Sequence, residues 1–467
     1  MSIKFKENLI IGAGPAGMAC AMELHNAGKN FILVDKSDSV GGLSKTYQFG
    51  EFKTDNGPHR FFSKNQYLYD FIEDLLKEKW IKVNRFTRFY IKGKFYQYPV
   101  EWRDALPKLG PINATKFLTD YLIAKIKYRG AEPKNFEEFI VSQFGRSLAE
   151  FNMLNYTEKL WGLPCSKLSA DWAEQRIKGL SVSALLKNMF LKKKGPKTLV
   201  DQFYYPELGT GLIYETIKNK IEKKNRVILD NEPVKIIHKN NVIKKVKMKK
   251  GKSFSPQNLI SSIPINRFVE ILDPKPPANV LKALKKLKFR SQVYLFLTVN
   301  KPFIAKDQWI YFPETHIPLG RMSEMKNFSQ KMSPRDKTSL FIEFFCWEGD
   351  ETWKMKKEEL IKISLDWLER LGFVKKEEVI DSYHLKQKNV YPVYDVGYKE
   401  NLAVVKNYLD TFKNLIYIGR PGRFKYTNQD HSLEMGILAA KSIIENKKLN
   451  VEDVGTEKEY FEKGIIR

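Results

Sequence analysis

Cysteine is scarce in this chain, where Cys20, Cys165 and Cys346 are the only three among 467 residues. Their wide spacing matches no disulfide framework, no Cys-x-x-Cys redox motif and no zinc site. A reducing compartment is the simplest setting for such a chain, so we expect a cytoplasmic protein. The histidines outside the motifs described below also lack metal-ligand spacing, and we therefore predict no metal site.

Long apolar runs are absent as well. No uninterrupted stretch of about 18 apolar residues occurs, so we predict no membrane-spanning helix. The first apolar run starts at Asn8, which leaves no room for a signal peptide before it. No internal repeat or low-complexity segment stands out. The chain is long for a single hydrophobic core and predicts two or three domains.

Acidic residues are few relative to basic ones, 54 against 80, which gives a formal charge of +26. Nucleic acid, an anionic membrane surface or an anionic substrate could each use such a charge. We favour a solvated, lysine-rich surface, because the basic runs at 192–194 and 245–252 adjoin turn glycines. No nucleic-acid-binding motif accompanies the lysines, so we expect no nucleic-acid partner.

The most informative stretch of the sequence lies near its start. Residues 8–11 form an apolar run, residues 12–17 read Gly-Ala-Gly-Pro-Ala-Gly, and residues 18–24 have helical spacing. A second apolar run, 31–34, ends at Asp35. A strand, a glycine turn, a helix and a strand in this order predict a dinucleotide-binding unit.

Each feature of that unit has a physical role. Gly12 permits the tight turn, Gly14 lets the backbone approach a pyrophosphate, and Gly17 lets the helix pack closely on the strand. The free N–H groups of the helix N-terminus favour the negative charge of the phosphates. Asp35 lies where a carboxylate can accept hydrogen bonds from a ribose hydroxyl.

The residues after Asp35 indicate which dinucleotide binds. A second glycine pair, Gly41 and Gly42, is followed by Leu43 and Ser44, a pattern similar to that of FAD-binding flavoproteins. Residues 57–59 read Gly-Pro-His and would bring backbone and an imidazole close to the flavin ring. We therefore predict a tightly held FAD.

The remaining pattern predicts an α/β fold with a Rossmann-like FAD-binding domain in three layers, ββα. We expect this domain to be assembled from residues 1–80, 198–265 and 385–467, because the apolar strand and glycine pattern returns at 416–419. Residues 81–197 read as a helical insertion that starts with a hairpin near 85–98. Residues 266–384 read as a mostly antiparallel sheet for substrate binding, with one helix at 357–371 and a strand ending at Tyr383.

Several landmarks in one order carry a family resemblance. The chain resembles the FAD-dependent amine oxidase and protoporphyrinogen oxidase superfamily and, within it, the UDP-galactopyranose mutases. The landmarks are Gly-Pro-His-Arg-Phe-Phe at 57–62, Tyr-Gln-Tyr-Pro at 96–99, Tyr-Thr-Glu-Lys-Leu-Trp-Gly at 156–162, Asp-Trp-Ala-Glu-Gln-Arg at 171–176, Trp-Ile-Tyr-Phe-Pro at 309–313, Gly-Arg at 320–321 and Asn-Gln-Asp-His-Ser at 428–432.

The resemblance implies a catalytic site. Arg176 and Arg321 would grip the two phosphates of a nucleotide sugar, which suits paired guanidinium contacts. Tyr391 and Tyr426 would donate hydroxyls to the diphosphate, and Trp161 would line the pocket. His59 would sit beside the flavin and respond to its redox state.

The resemblance also implies the cofactor contacts. Arg420 would lie near the flavin, where a cation stabilises the anionic reduced form. The N-terminus of the last helix, which we place near Ser432, would face the pyrimidine edge of the flavin. The full predicted set is Gly12, Gly14, Pro15, Ala16, Gly17, Asp35, Lys36, Gly41, Gly42, Leu43, Ser44, Gly57, Pro58, His59, Val234, Gly419, Arg420, Asn428, Asp430, His431 and Ser432.

Two activities remain open. The resemblance favours a mutase, active in cell-surface polysaccharide biosynthesis, that interconverts pyranose and furanose forms of a UDP-sugar through N5 of reduced flavin, with a reductant such as NADPH. The alternative is an FAD-dependent oxidoreductase of the amine oxidase or protoporphyrinogen oxidase type, with a pocket lined by apolar and aromatic groups. The 31 Phe and 22 Tyr residues keep that alternative open. The sequence does not identify the sugar.

Overall fold

The computed structural model describes residues 7–63, 65–98, 102–172 and 202–455. Twenty strands lie within these ranges. They are β1 Asn8–Ile11, β2 Phe31–Val34, β3 Thr46–Phe49, β4 Phe52–Asp55, β5 Trp80–Asn84, β6 Thr87–Ile91, β7 Lys94–Gln97, β8 Gln202–Pro206, β9 Arg226–Ile228, β10 Pro233–Lys239, β11 Val242–Met248, β12 Ser253–Phe254, β13 Asn258–Ser261, β14 Leu272–Asp273, β15 Phe289–Val299, β16 Trp309–Tyr311, β17 Arg321–Glu324, β18 Thr338–Cys346, β19 Val379–Pro392 and β20 Leu415–Tyr417.

The same ranges contain the α-helices. They are α1 Pro15–Asn26, α2 Gln66–Leu76, α3 Trp102–Lys127, α4 Phe136–Phe144, α5 Arg146–Leu148, α6 Leu154–Trp161, α7 Gly211–Ile221, α8 Ile265–Glu270, α9 Ala278–Leu284, α10 Glu351–Lys354, α11 Lys357–Arg370, α12 Tyr398–Leu409, α13 Gly419–Arg423 and α14 Gln429–Ile444. None of these helices combines the length and the apolar character needed to cross a lipid bilayer.

A parallel sheet of five strands forms the cofactor half of the molecule, in the order β20-β13-β1-β2-β9. Successive residues of β1 point to opposite faces of this sheet. Ile10 packs on a core that includes α1 and α14, whereas Leu9 and Ile11 pack with residues of the small sheet β12-β11-β10-β14. The result is the predicted Rossmann-like ββα arrangement, which is confirmed.

Helices α1 and α14 of this half pack closely against each other at a glycine. A Cβ added to Gly436 of α14 would lie 2.1 Å from the carbonyl oxygen of Ala16 in α1. Only a residue without a side chain therefore allows this approach. The contact brings α14 against the helix that follows the glycine turn, although about 400 residues separate them in the chain.

The second half contains a sheet of seven strands, in the order β19-β15-β18-β17-β16-β6-β7. Every adjacent pair is antiparallel except β16 with β6. The predicted antiparallel character and the hairpin near 85–98 are therefore confirmed, and the hairpin supplies two strands to this sheet. Helices α3 to α6 follow the hairpin, and residues 173–197 of the predicted helical insertion lie outside the described ranges.

Three details differ from the expectations. The strand expected to end at Tyr383 continues to Pro392 as β19, because the extended pattern pairs with β15 along its length. Short helices α8, α9 and α10 accompany the expected helix α11 between residues 265 and 371. The last long helix begins at Gln429, three residues before Ser432, because Asn428 and His431 form a capping box.

Candidate active site

A cavity of about 630 Å³ opens at the carboxyl ends of β1 and β2. This is the edge at which ligands bind to open parallel sheets. The volume lies within the range of about 300–1,000 Å³ that small-molecule and cofactor sites occupy. Of the predicted cofactor residues, the following line the cavity: Gly12, Gly14, Pro15, Ala16, Asp35, Lys36, Gly42, Leu43, Ser44, His59, Gly419, Arg420, Asn428 and Ser432.

The glycine turn forms one wall of this cavity. Gly12 has φ +103°, and a Cβ on Gly17 would lie 1.9 Å from the Gly12 carbonyl oxygen, so both positions require glycine. Gly14 differs, because its φ of −75° suits any residue and an added Cβ would meet only Gly42, at 3.9 Å. The bare Gly14 therefore keeps space open at the N-terminus of α1, which fits a pyrophosphate group of FAD.

Asp35 anchors the turn from the neighbouring strand. Its carboxylate accepts hydrogen bonds from the backbone N–H groups of Ala13, at 2.6 Å, and Ser37, at 2.7 Å. These bonds fix the orientation of the carboxylate, and each oxygen retains a lone pair for a further donor. Because Asp35 lines the cavity, a ribose hydroxyl would be a suitable donor.

Seven predicted cofactor residues do not line the cavity. Gly41 joins the two glycine turns, because its N–H donates to the carbonyl of Ala13 at 2.8 Å. His431 caps α14, and Val234 is exposed beside the lining residue Pro233. The seven are Gly17, Gly41, Gly57, Pro58, Val234, Asp430 and His431.

Aromatic and arginine side chains gather next to the cofactor cavity. Tyr391 and Tyr426 stack with ring centroids 5.4 Å apart, and the buried Trp161 presents its edge to them at 6.0 and 6.2 Å. The guanidinium of Arg420 lies 5.0 Å from the Tyr426 ring and 5.3 Å from the Tyr391 ring. We refer to Trp161, Arg321, Tyr391, Arg420 and Tyr426 as the aromatic–arginine cluster.

Arg321 is paired with Glu343 on the neighbouring strand. Its Nη2 donates to Oε1 at 2.8 Å, and its Nε donates to Oε2, so the two planar groups meet edge to edge. Burial disfavours the charge on Arg321, but the Glu343 carboxylate outweighs that effect and raises the pKa of the guanidinium above its ordinary value. Arg321 thus remains charged, and the Glu343 carboxylate fixes its Nε and Nη2.

His59 lines the cavity and lies near both arginines. Its Nδ1 is 3.1 Å from the carbonyl of Gly57, which can only accept, so Nδ1 carries the proton. Burial, with Arg420 and Arg321 nearby, lowers the pKa of His59 to about 3. The imidazole is therefore neutral at physiological pH and presents an unprotonated Nε2.

Arg420 connects the cofactor cavity with the aromatic–arginine cluster. It lines the cavity, and its Nε donates to the carbonyl of Thr427 at 2.8 Å. A second contact runs from Nη1 to the carbonyl of Val390 at 3.4 Å. Over the described ranges its hydrogen-bond partners are carbonyls, so its positive charge is not neutralised by a carboxylate.

A half-buried lysine ties the cluster to the large sheet. Lys159, on α6 between Tyr156 and Trp161, donates to the backbone carbonyls of residues 312, 314, 317 and 319 at 2.5–3.1 Å. These carbonyls belong to the loop that joins β16 to β17, the strand that begins with Arg321. Lys326, at the other end of β17, holds four carbonyls in the same way but away from the cluster.

Arg176 lies outside the described residues, so its pairing with Arg321 stays a prediction. Sequence reasoning also missed Glu343, although a carboxylate within the apolar run of β18 was a usable signal. It missed the cavity wall formed by β19, because that strand was expected to end too early. The missed lining residues include Asn231, Glu232, Asn266, Arg267, Glu348, Lys386, Gln387, Lys388 and Asn389.

Comparison with sequence families finds one match, over residues 15–402, to the family of flavin-containing amine oxidoreductases. A probable UDP-galactopyranose mutase of Klebsiella pneumoniae is 29% identical over 175 residues, 36% of this chain and 44% of that protein. An L-amino-acid oxidase of Bothrops moojeni is 22% identical over 348 residues, 68% of this chain and 66% of that protein. The chain thus spans less than half of the first relative and about two thirds of the second.

Among solved structures, a reduced UDP-galactopyranose mutase is similar to this chain with a TM-score of 0.85 and 23% identity. The match covers 99% of this chain and 98% of that one. At this level of identity the likeness establishes the fold over nearly its whole length. It does not by itself identify the substrate.

Proposed function

The chain belongs to the flavin-containing amine oxidoreductase family, and we propose that within this family it is a mutase that interconverts pyranose and furanose rings of a UDP-hexose. It is an FAD-dependent enzyme. The mutase would work with reduced flavin, so the proposal includes a reductant such as NADPH. The reaction itself would cause no net redox change.

The observation that carries this proposal is the charge beside the cofactor cavity. His59 is neutral and Glu343 compensates Arg321, which leaves the uncompensated guanidinium of Arg420. A net positive site attracts a diphosphate and the anionic form of reduced flavin, whereas it repels the ammonium group of an amine substrate. The electrostatics therefore favour a nucleotide sugar.

In the proposed reaction, bound reduced FAD would supply the nucleophile, N5, for the anomeric carbon of the sugar. The chain's own residues would orient the substrate and stabilise the charge of the departing diphosphate. Tyr391 and Tyr426 would donate their hydroxyls to it, and Arg321 and Arg176 would contribute guanidinium contacts. Burial raises the pKa of Tyr391 to about 12, so its hydroxyl stays protonated and can donate a hydrogen bond.

A second candidate is an oxidase with a small organic substrate. Two observations favour it: the similarity to an L-amino-acid oxidase, and the ring-lined cluster of Trp161, Tyr391 and Tyr426. An oxidase would start from oxidised flavin and consume oxygen, whereas the mutase would need prior reduction and no acceptor. The two candidates therefore predict opposite responses to a reductant.

The test is incubation of the dithionite-reduced protein with UDP-galactose under anaerobic conditions, followed by chromatographic separation of products. The mutase proposal expects a UDP-galactofuranose peak with reduced protein and none with oxidised protein. Oxygen consumption with amino acids, amines or a porphyrinogen serves as the parallel assay. Turnover there, with no new UDP-sugar, would replace the mutase by the oxidase.

A further inference from the structure

The second part of α3 carries a stripe of large apolar side chains that no described residue covers. Five of these side chains are more than half exposed: Ile112 83%, Ile126 79%, Ile123 61%, Leu118 57% and Leu122 53%. Scattered exposed apolar residues are ordinary on protein surfaces, but five on one helix face need an explanation. Thr115 and Thr119 lie among them, and their hydroxyls donate to backbone carbonyls of the helix itself.

The stripe is a separate face of the helix. Gly110 has non-helical dihedrals, so a straight segment runs from Pro111 to Lys127. At about 100° per residue, the five side chains span roughly 140° of its circumference. The opposite face packs inward, where Ala124 is buried and the rings of Phe117 and Phe151 have centroids 5.6 Å apart. The helix therefore needs no rearrangement to present its apolar face.

Lysines border the stripe on both sides. Lys116 and Lys127 lie along one edge and Lys125 along the other, and all three are exposed. The acidic residue of this segment, Asp120, turns inward and accepts a hydrogen bond from the backbone N–H of Ser147 at 3.0 Å. An apolar stripe between two basic edges matches a helix that lies in a lipid interface, with the lysine ammonium groups at headgroup level.

We propose that α3 docks the protein on the surface of an anionic lipid membrane. The apolar stripe would enter the boundary between headgroups and acyl chains, and the three lysines would contact lipid phosphates. The formal charge of +26 on the chain adds long-range attraction to such a surface. A second copy of the chain fits less well, because pairing two α3 helices would bring the lysine edges of like charge together.

This inference is independent of the substrate and is tested with the full-length, FAD-loaded protein. Binding is measured by co-sedimentation with vesicles of phosphatidylcholine containing phosphatidylglycerol, and with vesicles of phosphatidylcholine alone. The wild type is expected to sediment with the anionic vesicles, and added salt is expected to weaken binding. Vesicles of phosphatidylcholine alone should retain much less protein.

The variants separate the apolar and basic contributions. Ile123→Ser/Ile126→Ser should weaken binding to anionic vesicles roughly a hundredfold. Lys116→Gln/Lys125→Gln/Lys127→Gln should weaken it by a similar factor at low salt. The matched control is Ile380→Ser/Val396→Ser, which alters two apolar side chains of 49% and 59% exposure elsewhere and should bind like the wild type.

Flavin content and melting temperature show that each variant is folded. Absence of wild-type binding to anionic vesicles would overturn the proposal, and so would equal binding by wild type and Ile123→Ser/Ile126→Ser. Light scattering supplies the remaining outcome. A dimeric wild type that the isoleucine changes convert to a monomer, with no vesicle binding, would assign the face to a second copy instead.

Discussion

The cofactor cavity and the aromatic–arginine cluster lie side by side, yet they are built in different ways. The cavity wall near Gly12 and Gly14 consists of backbone, and its shape depends on glycines that lie a few residues apart. The cluster consists of side chains from α6, β17, β19, α13 and the segment before α14. The glycine wall is local in sequence, whereas the cluster exists only after distant elements have packed.

This difference predicts that the two regions fail separately. A change in the glycine wall should remove FAD, whereas a change in the cluster should alter nucleotide binding and leave FAD in place. Arg420 and His59 are exceptions, because each touches both regions.

Gly14→Val should abolish FAD binding without unfolding the protein. The backbone at Gly14 accepts a side chain and an added Cβ meets only Gly42, so the valine would fill the space for the pyrophosphate. We expect a loss of affinity of roughly a thousandfold, equivalent to about 4 kcal/mol. The measurements are flavin absorbance per chain and circular dichroism. Gly14→Ala is the graded control, and a Gly14→Val protein that stays yellow would contradict the assignment.

Arg321→Ala should weaken UDP binding roughly ten- to a hundredfold and leave the FAD content unchanged, because a charge-assisted contact to phosphate contributes about 1.5–3 kcal/mol. Arg321→Lys should restore only part of the UDP affinity, since an ammonium cannot make the paired contact. UDP affinity is followed by tryptophan fluorescence.

Glu343 requires its own control in that experiment, because it would be left buried without its partner. Arg321→Ala combined with Glu343→Gln removes the unpaired charge. If this double variant binds UDP like the wild type, Arg321 acts on the fold and does not contact the nucleotide.

Lys159→Met should lower UDP affinity by about tenfold, because the loop before Arg321 would lose its anchor and the guanidinium its position. Lys326→Met is the matched control, since Lys326 also holds four carbonyls but lies away from the cluster. Both changes should lower the melting temperature. Equal loss of UDP affinity in the two variants would show that the effect is general destabilisation.

His59 should give the smallest effect. Its pKa is lowered from 6.5 to about 3, so it stays neutral between pH 5.5 and 8. Protonation of His59 destabilises the folded state. The stability that depends on a neutral His59 is therefore lost only as the pH falls from 6.5 toward 3. The pH profiles of UDP affinity for wild type and His59→Gln should therefore run parallel within about twofold. A step near pH 6.5 that occurs only in the wild type would contradict this.

The sequence was sufficient for the glycine turn and the two strands that flank it. The order of strand, glycine turn and helix is local, so the spacing of Gly12, Gly14, Gly17 and Asp35 predicts their positions on elementary grounds. The antiparallel sheet followed from its apolar runs. The length of β19 could not be predicted in this way, because the polar residues between Tyr383 and Val390 extend the strand only through pairing with β15.

The side-chain partners were beyond the sequence for a physical reason. Arg321 and Glu343 are 22 positions apart, and only the register of β17 on β18 sets them opposite each other. The bonds of Lys159 to the loop at 312–319 depend likewise on tertiary packing. Spacing rules describe neighbours along the chain, and these contacts join residues that become neighbours through folding.

The contact of Gly436 with Ala16 delays completion of the cofactor half during synthesis. The glycine turn leaves the ribosome early, but α14, which covers α1, follows roughly 400 residues later. At about 5–20 residues per second, this delay lasts on the order of tens of seconds. During that time the face of α1 that packs on α14 is exposed, so a nascent chain should depend on chaperones until α14 emerges. Flavin capture would then wait until α14 has emerged.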